Sequence, residues 1–168
     1  MFKIEKGKSV YTNKYITENR GDYPLYSSQT TNDGVIGLIN TFDYNCKALT
    51  WTTDGIYAGT LFLRNGKFSM TTHCGALILK NNLTSISLDY IYSYLKDILR
   101  GYAVGEQNKR ITTATIKNIN IKMPIKEDLT FDIEVQNEIA DKYKKIELIK
   151  KNILDELDRI SKIEIDFE

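Results

Sequence analysis

Isoleucine recurs every seven residues at Ile139, Ile146, Ile153 and Ile160, and Val135, Tyr143, Ile149 and Leu157 fill the intervening positions. A seven-residue apolar repeat is the seam of a coiled coil, so it predicts one long helix from about Phe131 to the end of the chain. Thr130 or Asp132 is the expected N-cap. About 33 residues rising 1.5 Å each give roughly 50 Å of helix. A globular part of this size cannot bury so long a stripe. Ile139, Ile146, Ile149, Ile153, Leu157 and Ile160 therefore predict a partner helix, from a dimer mate or from a second recognition unit. The alternative is a helix folded back on the rest of the chain.

Before Pro124 the pattern differs. Short apolar runs alternate with polar turns, which predicts a curled antiparallel sheet. Val35–Asn40, Asn45–Thr52, Ile56–Leu63, Lys67–Met70 and Gly75–Lys80 read as strands. Asn65-Gly66 between apolar runs reads as a hairpin turn. Residues 1–20 show weak periodicity, and Pro24 sets an extended segment. Leu88, Ile91, Tyr92, Leu95, Ile98 and Leu99 predict a helix over 88–100 ended by Gly101. Ile111–Lys117 is expected to hold one or two helical turns, and Ile119, Ile121 and Met123 alternate as a short strand would. The fold expected is α+β: a curled, mostly antiparallel, β-rich domain at 1–126 with small helices, then a long coiled-coil-like helix at 127–168.

Charge divides along the same line. Residues 1–126 hold 16 Lys and Arg against 9 Asp and Glu, whereas 127–168 hold 7 against 13. A basic globular part suits a polyanion. An acidic helix is repelled by phosphate, so it either meets protein or is a solvated face. No apolar run approaches the roughly 18 residues of a membrane span. The N-terminus lacks the apolar core of a secretory signal. A cytoplasmic protein with no membrane partner is expected, with Cys46 and Cys74 as free thiols in strand-like surroundings.

Several chemistries lack their residues. His73 is the one histidine, and Cys46, His73 and Cys74 lack zinc spacing, so no metal site is expected. No lysine follows an Asp or Glu by two positions, which removes a common nuclease core. Pro24 and Pro124 are the only prolines, so no Asn/Asp-Pro-Pro-aromatic methyltransferase motif exists. Gly-x-Gly-x-x-Gly, Walker and Gly-x-Ser-x-Gly patterns are also missing. No cofactor and no catalytic residue is expected.

The polar loops offer recognition chemistry instead. Ser27, Ser28, Gln29, Thr30 and Asn32 either pair with base edges or bond their own turn. Thr53 and Tyr57 flank Asp54-Gly55, where small residues allow close approach to a ligand. Lys67, Thr71, Thr72 and His73 form a third set, and Gln107, Lys109 and Arg110 a fourth with groups for bases and phosphates.

Tyr-Pro-Leu-Tyr-Ser-Ser-Gln-Thr-x-Asn-x-Gly at Tyr23–Gly34 resembles the opening of a target recognition domain in specificity subunits of type I restriction-modification systems. Thr53-Asp54-Gly55-x-Tyr57-Ala58-Gly59-Thr60 and Thr72-His73-Cys74-Gly75-Ala76-Leu77 are similar to that family too. So are Ile116-x-x-Ile119-x-Ile121-x-x-Pro124 and the helical Gln136-Asn137-Glu138-Ile139. The resemblance implies a non-catalytic subunit that reads double-stranded DNA for methyltransferase and restriction subunits. Full-length members carry two such units with antiparallel helices. One unit is present here, which leaves open a half-subunit, a fragment, or the second unit of a longer protein. Rival readings are an assembly module that reads no DNA, the recognition unit of a related type II restriction-methylation system, and a small nuclease or methyltransferase acting alone.

Overall fold

One long, bent β-ribbon runs through both sheets of the domain. A computed structural model describes residues 1–80 and 83–163. Its strands are β1 Phe2–Lys6, β2 Arg20–Tyr26, β3 Val35–Ile39, β4 Tyr44–Asn45, β5 Ala48–Thr52, β6 Leu61–Arg64, β7 Lys67–Met70 and β8 Cys74–Leu79. Its helices are α1 Asn13–Glu18, α2 Leu88–Leu95, α3 Thr113–Lys117 and α4 Ile133–Ser161. The sheets run β1-β8-β5-β6 and β3-β2-β7-β4. The first is antiparallel; in the second, β2 and β7 run parallel and the other pairs antiparallel. This is the expected α+β fold, mostly antiparallel and followed by a long helix.

The ribbon is β4–β5 paired with β6–β7. Tyr44 faces Phe68, Asn45 faces Lys67 and Ala48 faces Arg64. Between them Cys46 and Gly66 exchange both backbone hydrogen bonds, at 3.0 and 3.3 Å. The register never breaks, so Asn65-Gly66 is not the expected hairpin turn. It is a corner where a strand passes from one sheet to the other, and Gly66 adopts the φ of 102° the corner needs. The true hairpin loop is Thr53–Thr60. For that reason the strand expected over Ile56–Leu63 starts only at Leu61. Gly55 and Gly59, at φ 89° and 86°, turn the intervening chain.

Strand alternation sorts side chains between two clusters. Leu49, Trp51, Leu61 and Leu77 face the helices, where they meet Ile91, Leu95, Leu99, Ile111 and Ile116. Ala48, Phe68, Met70, Cys74 and Ala76 join the two sheets. Trp51 lies directly across from Gly75, and a Cβ on Gly75 would come within 2.2 Å of the indole ring. Glycine is therefore demanded here by a neighbouring ring. Cys46 is half-buried and Cys74 buried, both as free thiols, and burial pushes Cys74 up to about 12.

Other departures have local causes. The weakly patterned start forms β1, which runs along β8 from Phe2 opposite Leu79 to Lys6 opposite Gly75, and α1. The helix expected over 88–100 stops at Leu95, and Gly101 sits inside a separate 3-10 turn, Leu99–Tyr102. Ile119, Ile121 and Met123 pack on the helix-side core without joining a ladder. Tyr90 Oη donates to Lys122 O at 2.5 Å and pins that segment.

α4 is rooted in the domain and then leaves it. Asp132 is the N-cap, accepting from the N–H groups of Glu134 and Val135 at 3.1 Å each. Gln136 is fully buried. Its Nε2 donates to Ser85 O at 3.0 Å and its Oε1 accepts from Ser87 N at 2.9 Å. Ala140 is buried and Ile139 packs on the same core. Lys144 pairs with Asp89 and Glu147 with Lys96, each at 2.8 Å. Every residue from 141 to 163 is exposed, so the helix does not fold back on the sheet.

Gln136→Ala leaves one N–H and one C=O of the Ser85–Ser87 segment buried and unpaired. It is expected to lower unfolding stability by about 2–4 kcal/mol in urea titrations. Burial alone would raise the Asp89 carboxyl, but hydrogen bonds from Lys144 and Lys47 outweigh it and hold the group below its ordinary 3.8. A depressed carboxyl stabilises the fold above that ordinary value and loses its effect as pH falls through the lower, folded value. The stability gap between wild type and Asp89→Asn should thus be full at pH 7 and narrow below about pH 4.

Candidate nucleic-acid interface

Four loops meet at one end of the two sheets, tied largely by backbone hydrogen bonds. The hairpin loop Thr53–Thr60 joins the 103–110 loop through Gly55 N, which donates to Lys109 O at 3.0 Å and to Asn108 Oδ1 at 3.2 Å. Ile111 N donates to Thr53 O at 2.9 Å. Val104 and Arg110 exchange both of their backbone bonds, at 2.9 and 2.8 Å. The turn between β7 and β8 enters through Thr53 N, which donates to His73 O at 3.0 Å, and His73 Nδ1 lies 2.6 Å from Asp54 Oδ2. The 27–34 loop is attached through Thr71, whose hydroxyl lies 2.8 Å from Ser27 Oγ.

The hairpin loop is stiff. Thr52 and Thr60 hydroxyls both donate to Tyr57 O, at 2.5 and 2.8 Å. A Cβ on Gly59 would stand 2.9 Å from Arg100 Cα, so the loop lies against the 3-10 turn. The Arg100 guanidinium sits 5.5 Å from the Tyr57 ring centroid. A groove beside it is lined by Lys6, Thr53, Asp54, Thr72, His73 and Arg110. Lys6 and Arg100 are cations of this surface that the sequence did not single out. Their spacing carries no signal, because a strand end and a 3-10 turn bring them there.

The predicted residues divide into groups. Thr53, Tyr57, Thr72, His73, Gln107, Lys109 and Arg110 lie on the joined loops; Tyr57, Thr72, His73, Gln107, Lys109 and Arg110 are exposed and Thr53 is half-buried. Ser27, Ser28, Gln29 and Thr30 are half-buried, and Asn32 is exposed. The side-chain amides of Gln29 and Asn32 both donate to Val35 O, so these groups also close their own turn. Thr71 is buried beneath the rim, where it supports Ser27. Lys67 stands apart. It begins β7 at the corner end, with its ammonium 5.1 and 4.8 Å from the ring centroids of Tyr23 and Phe42.

The surface thus offers hydroxyls, amides and cations on a firm backbone. Among the described residues, no group of three or more His, Cys, Asp and Glu is placed to hold a metal. No helix among them is long and apolar enough to cross a membrane. The family model for the type I restriction modification DNA specificity domain matches residues 1–159. The chain belongs to this family.

Relatives agree with that assignment. A Mycoplasma pneumoniae protein provisionally named as a type I specificity subunit, S.MpnORF285P, is 37% identical over 141 residues, covering 82% of this chain and 42% of its own. The specificity subunit of the type I restriction enzyme MpnII, from the same organism, is 47% identical over 78 residues, 46% of this chain and 23% of its own. The crystal structure of a type I restriction-modification S subunit from M. genitalium has the same fold. Its TM-score is 0.66 at 18% identity, over 94% of this chain and 40% of that one. The chain spans about two-fifths of the length of S.MpnORF285P and of the M. genitalium subunit.

Two residues in the stretches that carried the sequence resemblance have structural explanations. Gly75 makes room for Trp51, and Gln136 closes the hydrogen bonds of Ser85 and Ser87. Neither faces the loop surface.

Proposed function

We propose that this chain is a sequence-specific, non-catalytic DNA-binding unit that directs the methyltransferase and restriction subunits of a type I system to a target site. The observation that carries this reading is the convergence of four loops on one surface, three of them leaving strands of the two sheets and the fourth following the 3-10 turn. That surface exposes Tyr57, Gln107, Lys109 and Arg110 together. In this reading 1–126 is the target recognition domain, and 127–168 is a spacer and assembly helix whose last five residues lie outside the described ones.

Lys109 and Arg110 hold phosphates, as Lys6 and Arg100 can beside them. Ser27, Ser28, Gln29, Thr30, Asn32, Thr53, Tyr57, Thr72, His73 and Gln107 supply base-edge contacts, with Thr71 acting from beneath. Hydroxyls and amides match the donor and acceptor code of the major groove without burying an unpaired charge. Lys67 lies too far along β7 to share this contact and would serve a phosphate of its own. On α4 the exposed Ile146, Ile149, Ile153, Leu157 and Ile160 meet a second helix, of a dimer mate or another recognition unit, and Ile139 fixes the root.

The direct experiment is methylome sequencing of cells carrying the chain with its methyltransferase, wild type against Gln29→Ala and Gln107→Ala. A relaxed preference at one base pair, by about 1–3 kcal/mol, is expected from each loss of a bidentate contact. An unchanged motif at unchanged occupancy in both variants sinks the assignment of these glutamines. Lys109→Ala and Arg110→Ala should each weaken binding to all duplexes alike. Each should also lower the salt slope of log K by about one unit in anisotropy titrations. Light scattering on the chain is expected to give a dimer, and Ile146→Asp a monomer.

A further inference from the structure

The tip of the joined loops carries apolar side chains that no core uses. Ile56 is 69% exposed and Val104 is 74% exposed. Neither sits on frayed backbone. Ile56 follows Gly55, whose N–H is bonded to Lys109 O and Asn108 Oδ1, and Val104 exchanges two backbone bonds with Arg110. The two side chains therefore belong to one small platform. The threonine bonds to Tyr57 O and the contact of Gly59 with Arg100 keep that platform from yielding. Its other exposed groups include the cations Lys109 and Arg110, the amides Gln107 and Asn108, the Tyr57 ring and one anion, Glu106.

A branched alkyl group on a hydrogen-bonded loop that also carries two cations and two amides suits a surface that is anionic around an apolar spot. On the base edges of a duplex, the 5-methyl of thymine is the apolar group, and it lies in the major groove. Resting on the reading of this chain as a DNA-binding unit, we propose that Ile56, with Val104 beside it, reads an A·T pair by packing on a thymine 5-methyl. Lys109 and Arg110 hold the flanking phosphates meanwhile. This adds a specificity contact without hydrogen bonds, of a kind that the polar loop residues cannot supply. It also gives the hairpin a direction, with its tip in the major groove.

The test starts from a duplex enriched by the full chain from a random-sequence library. Each thymine is then replaced singly by deoxyuridine, which deletes the methyl and nothing else, and binding is followed by fluorescence anisotropy. One uracil is expected to weaken wild-type binding about fourfold, the effect of one buried methyl. Ile56→Ser should bind the thymine duplex about as weakly and be indifferent to that uracil, while Val104→Ser shows a partial effect. Ile56 is at an exposed tip, so unchanged unfolding midpoints should accompany these results. The proposal is overturned if no uracil position weakens the wild type, if Ile56→Ser keeps the full uracil penalty, or if the enriched site holds no A·T pair. A chain that enriches no sequence overturns the DNA-binding reading along with this one. Selective binding without methyl dependence overturns this one alone.

Discussion

The contact of Trp51 with Gly75 is the interaction on which the remaining architecture depends. It seats the largest fully buried side chain of the helix-facing core against β8, one residue before the end of β5 and the hairpin loop. Two residues further along each strand, Thr53 N is bonded to His73 O. The same cross-strand register that seats the indole therefore sets the hairpin loop beside the β7–β8 turn. The indole N–H is buried without a hydrogen-bond partner among the described residues. Core and loop surface are mechanically one object here.

A second constraint holds the two sheets together. Arg64 lies buried between them, its Nε donating to Thr50 Oγ1 at 2.9 Å and its Nη2 to Asp33 O at 2.6 Å. The guanidinium stacks 3.6 Å from the Tyr26 ring centroid, and burial pulls its pKa below the ordinary value. Asp33 sits in the left-handed region at φ 49°, so the arginine reaches a loop carbonyl that an ordinary turn would not present. Through Arg64 the ribbon fixes the shape of the 27–34 loop as well.

Much of this was legible in the residues. Val35–Ile39, Lys67–Met70 and Cys74–Leu79 stand within a residue of where alternation places strands, and Asp132 was one of two cap candidates. The heptad marked α4, because seven-residue spacing survives any tertiary context. What failed was partner choice. Asn65-Gly66 announces a backbone that tolerates positive φ, but says nothing of which strand lies opposite; here that strand continues past the corner. β1 was missed because five residues of mixed polarity carry too short a period to count. Gln136 was matched as a motif and left without a role, since a glutamine on a charged helix reads as solvated. Lys6 and Arg100 reached the loop surface by topology, which no local pattern records.

Gln136 also acts on geometry at a distance. About fourteen residues of α4 extend past its last salt bridge to the domain, roughly 21 Å at 1.5 Å per residue. A rod of that length is a lever: tilting its root by ten degrees swings its far end by about 3.5 Å, close to the roughly 3.4 Å rise between neighbouring bases on a strand. Two hydrogen bonds from one buried amide, with the salt bridges of Lys144 and Glu147 just beyond, set that pivot. Angular error at the hinge would become positional error at the tip, so tolerance at residue 136 determines how well anything seated on the distal helix is registered against the loops.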